Sequence, residues 1–326
     1  MRKLTWVLAL ALALTSCRFK ELCYDHHHEE QETLSLELSL KLDLDVNLDV
    51  SDADQTHTKI QIPAHLVVCF YDTVTGALLK KEYVGSHGGP LHVSPGAYRM
   101  VVYSFDTEWT WVRGENDINT LEAYTSDITA MTSPLLAHFA RKNNTDPTEP
   151  VIYTPDHLLV TQKVVEIPPY STEKFVITIT ATASTIVETY GFEVTNINGA
   201  EYIASAEAFV TNQAFSNFFG RGEKNTKPAT IYFPVDVDKE KKTLKTTFNT
   251  FGKLPGESQS MLHILITDTE GNIYTITEDI TEQFSDPDCI IEIDKPIDIP
   301  KPESSSGGIA PTVEDWEEEI HDVPIG

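Results

Sequence analysis

The clearest pattern in this chain is a strict alternation near its start. Leu34, Leu36, Leu38, Leu40, Leu42, Leu44, Val46, Leu48 and Val50 take every even position, and Ser35, Glu37, Ser39, Lys41, Asp43, Asp45, Asn47 and Asp49 lie between them. Period two puts one face in a core and the other in water, which describes a half-buried strand. A helix would scatter these leucines around its circumference, so the pattern overrides the helical preference of leucine. Seventeen residues exceed the usual strand of about 3–10, so a bend or a bulge-joined pair of strands is expected over Leu34–Val50.

β character continues along the chain. Leu66 to Tyr71, Ala77 to Val84 and Arg99 to Phe105 read as strands, separated by turn signals at Asp72–Gly76 and Pro95-Gly96 and by a loop over Gly85–Pro90. Proline pre-sets φ and glycine accepts a positive one, which gives the turns a mechanism. Asp106 to Asp146 is mixed loop, with a short helix expected near Leu135–Lys142. Strand pattern returns over Val151–Val165 and Lys174–Thr189, and recurs at Gly191–Asn198, Ala204–Thr211, Thr230–Val237 and Leu244–Phe251. Met261–Thr267 and Ile273–Glu278 flank Asp268–Asn272 as a hairpin, and Cys289–Ile293 closes the series. Many short strands with closely spaced turns argue for an all-β protein built of β-sandwiches.

The prolines at 168 and 169 stiffen the chain and remove two ladder donors, so they mark the expected domain boundary. The expected layout is a signal peptide at 1–16, a polar leader at 17–32, β-sandwich domains at 33–167 and 168–294, and a disordered acidic tail at 295–326.

Ahead of the alternating segment, Arg2 and Lys3 precede an apolar run of eleven residues, Leu4–Leu14, and then Thr15-Ser16-Cys17. A membrane span needs about 20 apolar residues, so this is an export signal. The small residue before Cys17 resembles the bacterial lipoprotein box, which implies cleavage before Cys17 and acylation of its thiol and amino group, palmitate being one expected chain. Each buried methylene contributes roughly 0.8 kcal/mol, and several chains on one residue anchor stably. The chain is thus expected outside the cytoplasm, held at the outer membrane by lipid.

The net charge of −26 becomes −28 once the signal and its two basic residues are removed. Such a surface repels phosphates and anionic lipid, which argues against nucleic acid as a partner. Beyond Cys17 stand Cys23, Cys69 and Cys289, an odd number without redox or zinc spacing, so no structural disulfide is expected. Cys69 falls in an apolar run and reads as a small core residue.

Candidate chemistry is sparse. His26-His27-His28 with Glu29 and Glu30 offers metal-ligand types, yet neighbours in a polar leader rarely converge on one ion. Asp43, Asp45, Asn47, Asp49 and Asp54 imitate calcium-loop spacing, but Leu48 stands where the sharp turn needs glycine. No metal or cofactor is therefore expected. Trp109 and Trp111 would share a face if extended, and paired aromatics can stack on a sugar ring or partner surface, although packing at a sheet edge accounts for them as well. Asn143-Asn144-Thr145 matches a glycosylation acceptor only formally. No G-x-S-x-G, H-E-x-x-H, P-loop or G-x-G-x-x-G motif is present, and no enzyme activity is expected.

Three features together resemble the fimbrial-subunit-like lipoproteins of Bacteroides-type bacteria. They are the lipobox at Cys17, the leader Glu21-Leu22-Cys23-Tyr24-Asp25-His26, and the Val93-Ser94-Pro95-Gly96-Ala97-Tyr98 turn running into Met100-Val101-Val102-Tyr103. The resemblance reaches from the signal to about Ile293. It implies two tandem transthyretin-like (Greek-key) β-sandwich domains, a place among stalk, tip or anchor subunits of adhesive pili, other fimbrial subunits as partners, and no catalytic residues. It also implies assembly by strand exchange, in which an arginine-specific protease trims a strand from the stalk subunit. No arginine lies between Arg18 and Arg99. Such a cut would leave Leu34–Val50 in place, so this segment is the candidate strand-exchange element and the chain reads as an anchor or accessory subunit. The competing reading is a stand-alone surface or periplasmic lipoprotein that binds a glycan or peptide, with Trp109 and Trp111 as its contacts.

Overall fold

The computed structural model describes residues 35–42, 60–132, 149–169, 176–254, 259–285 and 290–302. The signal, the leader with Cys17 and its histidines, Leu34, Asp43–Val50, the expected helix at Leu135–Lys142 and residues 303–326 lie outside them. The fold is all-β. In chain order its strands are β1 (Ser35–Leu42), β2 (His65–Asp72), β3 (Leu78–Gly85), β4 (Gly88–Leu91), β5 (Gly96–Ser104), β6 (Trp111–Arg113) and β7 (Glu122–Tyr124). Next come β8 (Val151–Tyr153), β9 (Leu159–Ile167), β10 (Val176–Thr185), β11 (Glu188–Val194), β12 (Ile197–Asn198), β13 (Ile203–Ala214) and β14 (Ser216–Phe218). The last are β15 (Glu223–Lys224), β16 (Pro228–Asp238), β17 (Thr243–Thr250), β18 (Met261–Asp268), β19 (Ile273–Asp279), β20 (Ile290–Ile293) and β21 (Ile297–Asp298).

Seven strands close into a barrel in the order β1-β10-β9-β5-β2-β3-β4. Leu36, Leu38, Leu66, Val68, Phe70, Met100, Val102 and Ile179 fill its interior. The other face of β2 and β5 is covered as well. Val67, Cys69, Tyr71, Val101 and Tyr103 pack against Ala214, Phe219 and Phe251. Burial on both faces explains why Leu66–Tyr71 is a continuous apolar run without alternation.

The second sheet runs β19-β18-β13-β16-β17-β11-β20, with β8 joined to β16. Strand β16 turns its corner: Pro228–Val235 pair with β13, and Asp236–Asp238 pair with β17. The two leaves so formed share a core of Phe192, Ile231, Phe233, Phe248 and Ile264, in which Phe233 and Phe248 stack at 4.2 Å. A small sheet, β15-β14-β7-β6, ties the loop after β5 to the loop after β13.

Four expectations change. The loop at Gly85–Pro90 leads into β4, because Gly88 lets its backbone approach β1. Val151–Val165 is two strands in different sheets, broken around Pro155, which has no N–H to give a ladder. The strands on either side of Pro168-Pro169, β9 and β10, both belong to the barrel, and apart from the short β8 the strands of the second sheet begin only after Thr185. Order also persists beyond Lys295: Ile297 pairs with Ile197, and Ile297 and Ile299 are buried.

Candidate functional site

Strand β1 is the part of the alternating segment that the structure describes. Leu36, Leu38 and Leu40 are buried in the barrel core while Glu37, Ser39 and Lys41 face solvent, as period two requires. Burying three leucines contributes about 5–9 kcal/mol before the cost of ordering the strand. On one side β1 runs parallel to β10 for its whole length, Ser35 opposite Val176 through Leu42 opposite Ala183. On the other side it pairs antiparallel with β4, from Leu36–Leu91 to Ser39–Gly88, and the Leu40 amide donates to the His87 carbonyl at 3.0 Å. Strand β1 is therefore an internal stave, held from both edges.

Strand β4 is the weaker of its two neighbours. It is four residues long, contains Pro90, and meets β3 only through Gly85–Gly88. Gly88 has φ +98°, and a Cβ there would stand 1.9 Å from the Leu38 carbonyl oxygen. The closeness of this backbone contact is what lets β4 complete the barrel.

Beyond β10 the barrel is looser. Strand β9 pairs with β5 from Tyr103–Val160 to Gly96–Ile167, but meets β10 only at Val160–Ser184 and Leu159–Thr185. Above that pair, the Lys163 ammonium donates to the Thr180 carbonyl at 2.8 Å, where a backbone N–H would ordinarily sit. Val164 and Val176 flank this gap, 70% and 55% exposed.

Trp109 and Trp111 do not form a joint platform. Trp109 packs on Tyr153 at 5.0 Å, and Trp111, 42% exposed, packs on Tyr124 at 5.8 Å. The first reaches toward the second sheet and the second lies on the small sheet, so the turn between them directs the rings apart. Near Trp109 lies an open cleft of about 370 Å³ lined by Gln61, Ile62, Asp106, Glu108, Asp156 and His157, among others. Its carboxylates serve the backbone: Asp106 accepts from the Ala64 and His65 amides, and Asp156 accepts from the Trp109 amide. His157 is held between the Thr185 and Thr189 hydroxyls at 2.8 and 3.0 Å. Among the described residues no three His, Cys, Asp or Glu side chains are grouped to hold a metal. Cys69 is a free, fully buried thiol, pushed by burial up to about 11 and so kept protonated at neutral pH.

Sequence reasoning missed Glu122. It is buried between β6 and β14, where Arg113 Nε donates to it at 2.6 Å and the Ser216 hydroxyl donates to its other oxygen. Burial alone would raise its pKa; the hydrogen bonds and charge of Arg113, with Ser216 and Asn225, outweigh that and hold it below the usual carboxylate value. The β6–β7 pairing sets Arg113 opposite Glu122, and the tertiary pairing of β7 with β14 adds Ser216, so the buried site has no signature in one segment of sequence.

A family model described as a domain of unknown function, DUF5119, matches residues 16–234. The chain belongs to this family. It is 24% identical over 292 residues to a Bacteroides ovatus protein provisionally named fimbrium anchoring subunit Fim4B, covering 78% of this chain and 83% of that one. The resemblance to fimbrial-subunit-like proteins of Bacteroides-type bacteria is thereby borne out. Among solved structures, one from B. ovatus, provisionally titled an adhesin, aligns over 85% of this chain and 95% of its own with a TM-score of 0.57 and 21% identity. That likeness is one of fold. The fimbrial anchor protein Mfa2 from Porphyromonas gingivalis aligns over 80% of this chain and 89% of its own, with a TM-score of 0.45 and 13% identity.

Proposed function

We propose that this chain is a non-catalytic anchor or accessory subunit of adhesive fimbriae, lipid-anchored in the outer membrane through Cys17 and contacting other subunits through β-strands. The relative named as a fimbrium anchoring subunit supports the fimbrial part. The observation that carries the anchor part is the seating of β1. Its three leucines are buried, both its edges are paired, and no arginine between Arg18 and Arg99 offers a place to cut it away. A strand that cannot be released does not vacate a groove, so the chain is not a repeating stalk unit. Tandem transthyretin-like domains are part of this reading, supported by a barrel and a two-leaved sheet that each enclose a core of their own.

The decisive experiment recovers the mature protein from membranes and determines its N-terminus and acylation by mass spectrometry. A triacylated or diacylated Cys17 with β1 retained is expected; a new N-terminus beyond Val50 overturns the anchor reading, and an unmodified thiol overturns the lipid. The 370 Å³ cleft favours a second reading, a lipoprotein that binds a glycan or peptide. Co-purification with fimbriae, against glycan-array binding that is lost on altering Asp106 or Glu108, separates the two.

A further inference from the structure

The gap between β9 and β10 is a pair of strand edges facing one another. Because the Thr180 carbonyl accepts from Lys163 on β9, the Thr180 peptide groups point toward β9 and away from β1. Peptide direction alternates along a strand, so Thr178 and Thr182 point the same way, while Ile177, Ile179 and Ala181 serve the ladder to β1. Across the gap, extension of the Val160–Ser184 register sets Val164 opposite Thr180, yet no ladder joins them. Neighbouring strands normally stand about 4.8 Å apart and bond through their backbones; here a lysine side chain does the bonding.

The surroundings suit a strand more than a small ligand. On β10 the exposed side chains along the gap are Thr178, Thr180 and Thr182, with Val176 at its end, and beneath them Val165, Ile167 and Ile179 are buried. Among the described residues no strand pairs with β10 on this side between Val176 and Ala183. Native proteins protect such edges with lysine, and among the described residues of β9 and β10 Lys163 alone does so here. The geometry points to the β9–β10 gap as a docking slot in which an extended strand of a neighbouring fimbrial subunit pairs with β10 and displaces Lys163 from the Thr180 carbonyl. This rests on the fimbrial reading above, but it places the contact beside β1 and needs no removal of β1.

Two substitutions in the full chain push binding in opposite directions. Thr180→Pro removes a slot-facing N–H while sparing the bonds to β1, and Lys163→Ala frees the carbonyl that the incoming strand must take. The probe is fimbriae sheared from cells that make the chain, with co-sedimentation as readout. Thr180→Pro is expected to lower recovery about tenfold and Lys163→Ala to raise it, since one hydrogen bond is worth roughly a factor of ten. Amide exchange gives a check that does not depend on either variant folding: Thr178, Thr180 and Thr182 should exchange fast in the free chain and slow on fimbriae. Slow exchange of these amides in the free chain, or equal recovery of all three proteins, overturns the slot while leaving the fimbrial reading intact. Failure of the unaltered chain to sediment with fimbriae overturns both. A dimer of the chain abolished by Thr180→Pro would make a second copy the occupant and overturn the choice of partner.

Discussion

Replacing Gly88 with alanine tests how the barrel is closed. The added Cβ would lie 1.9 Å from the Leu38 carbonyl oxygen and 2.7 Å from its carbon, and contacts under 3.0 Å are essentially never seen. The atoms met are backbone, so no rotamer change relieves the clash, and β1 and β4 must part by roughly 1 Å in a region packed as tightly as a crystal. The left-handed φ of +98° adds about 1–2 kcal/mol for any L-residue. Parting the strands at Ser39–Gly88 and Leu40–His87 forfeits about two backbone hydrogen bonds, each worth ~0.5–1.5 kcal/mol. The expected loss is about 2–5 kcal/mol. Gly222→Ala is the control, because Gly222 also has a positive φ (+69°) but nothing within 4 Å; its cost should stay near 1 kcal/mol. Urea unfolding gives both values by linear extrapolation. Trypsin gives the local one, since Lys41 is cut only when β1 leaves its seat, and a difference of ~3 kcal/mol makes that cut about a hundredfold faster. If Gly88→Ala and Gly222→Ala unfold within 1 kcal/mol of each other and resist trypsin equally, the β1–β4 contact is not what closes the barrel.

Other consequences can be measured in the same preparations. His263, buried on β18, has its pKa depressed by burial from 6.5 to about 4. Between those values the unfolded chain binds the extra proton, so this stabilising contribution is complete above pH 6.5 and is lost as pH falls toward 4. It amounts to about 3 kcal/mol at most, and His263→Gln should flatten that part of the stability–pH curve. Glu122→Gln keeps the shape but removes the charge that faces Arg113 Nε at 2.6 Å; a loss of about 1–3 kcal/mol is expected in urea unfolding, and a neutral result would mean Arg113 finds water as good a partner. Trp109→Ala should cost about 2–4 kcal/mol through lost packing on Tyr153, whereas Trp111→Ala, at a half-exposed ring, should cost under about 1.5 kcal/mol. Reversal of that order would contradict the packing described.

Wherever one face of a strand is wet and the other dry, the chain announces it. Alternation located β1, and the paired apolar runs with Asp268–Asn272 between them located the β18–β19 hairpin, where Asp268 accepts from the Glu270 and Asn272 amides. Order that depends on distant partners left no such trace. Strand β4 is made of two glycines, a proline and a leucine, and becomes a strand only because β1 lies against it. The Pro168-Pro169 boundary misled for a related reason: proline ends a ladder, but whether the next strand returns to the same barrel is decided by the leucines of β1, more than a hundred residues earlier. Ile297 and Ile299 sit among prolines and charges that read as tail, and are buried by β12 and the core of the second sheet.

The same long-range pairing bears on how a subunit of this kind can join others. Strand exchange of the stalk type needs a groove, and a groove needs a departed strand. Here departure would expose Leu36, Leu38 and Leu40 and break two ladders, a penalty larger than most small domains can bear. A covalent cut would have to supply the difference, yet between Arg18 and Arg99 there is no arginine to cut. On the proposed reading, partner contact uses an edge that is already free while β1 stays home. Among the described barrel strands one such edge is the slot side of β10, where Lys163 bonds the Thr180 carbonyl in place of a ladder partner. On this reasoning, retention of β1 and availability of the slot are two sides of one design: the strand that keeps the barrel shut on one side of β10 is what holds the other side presented for a partner.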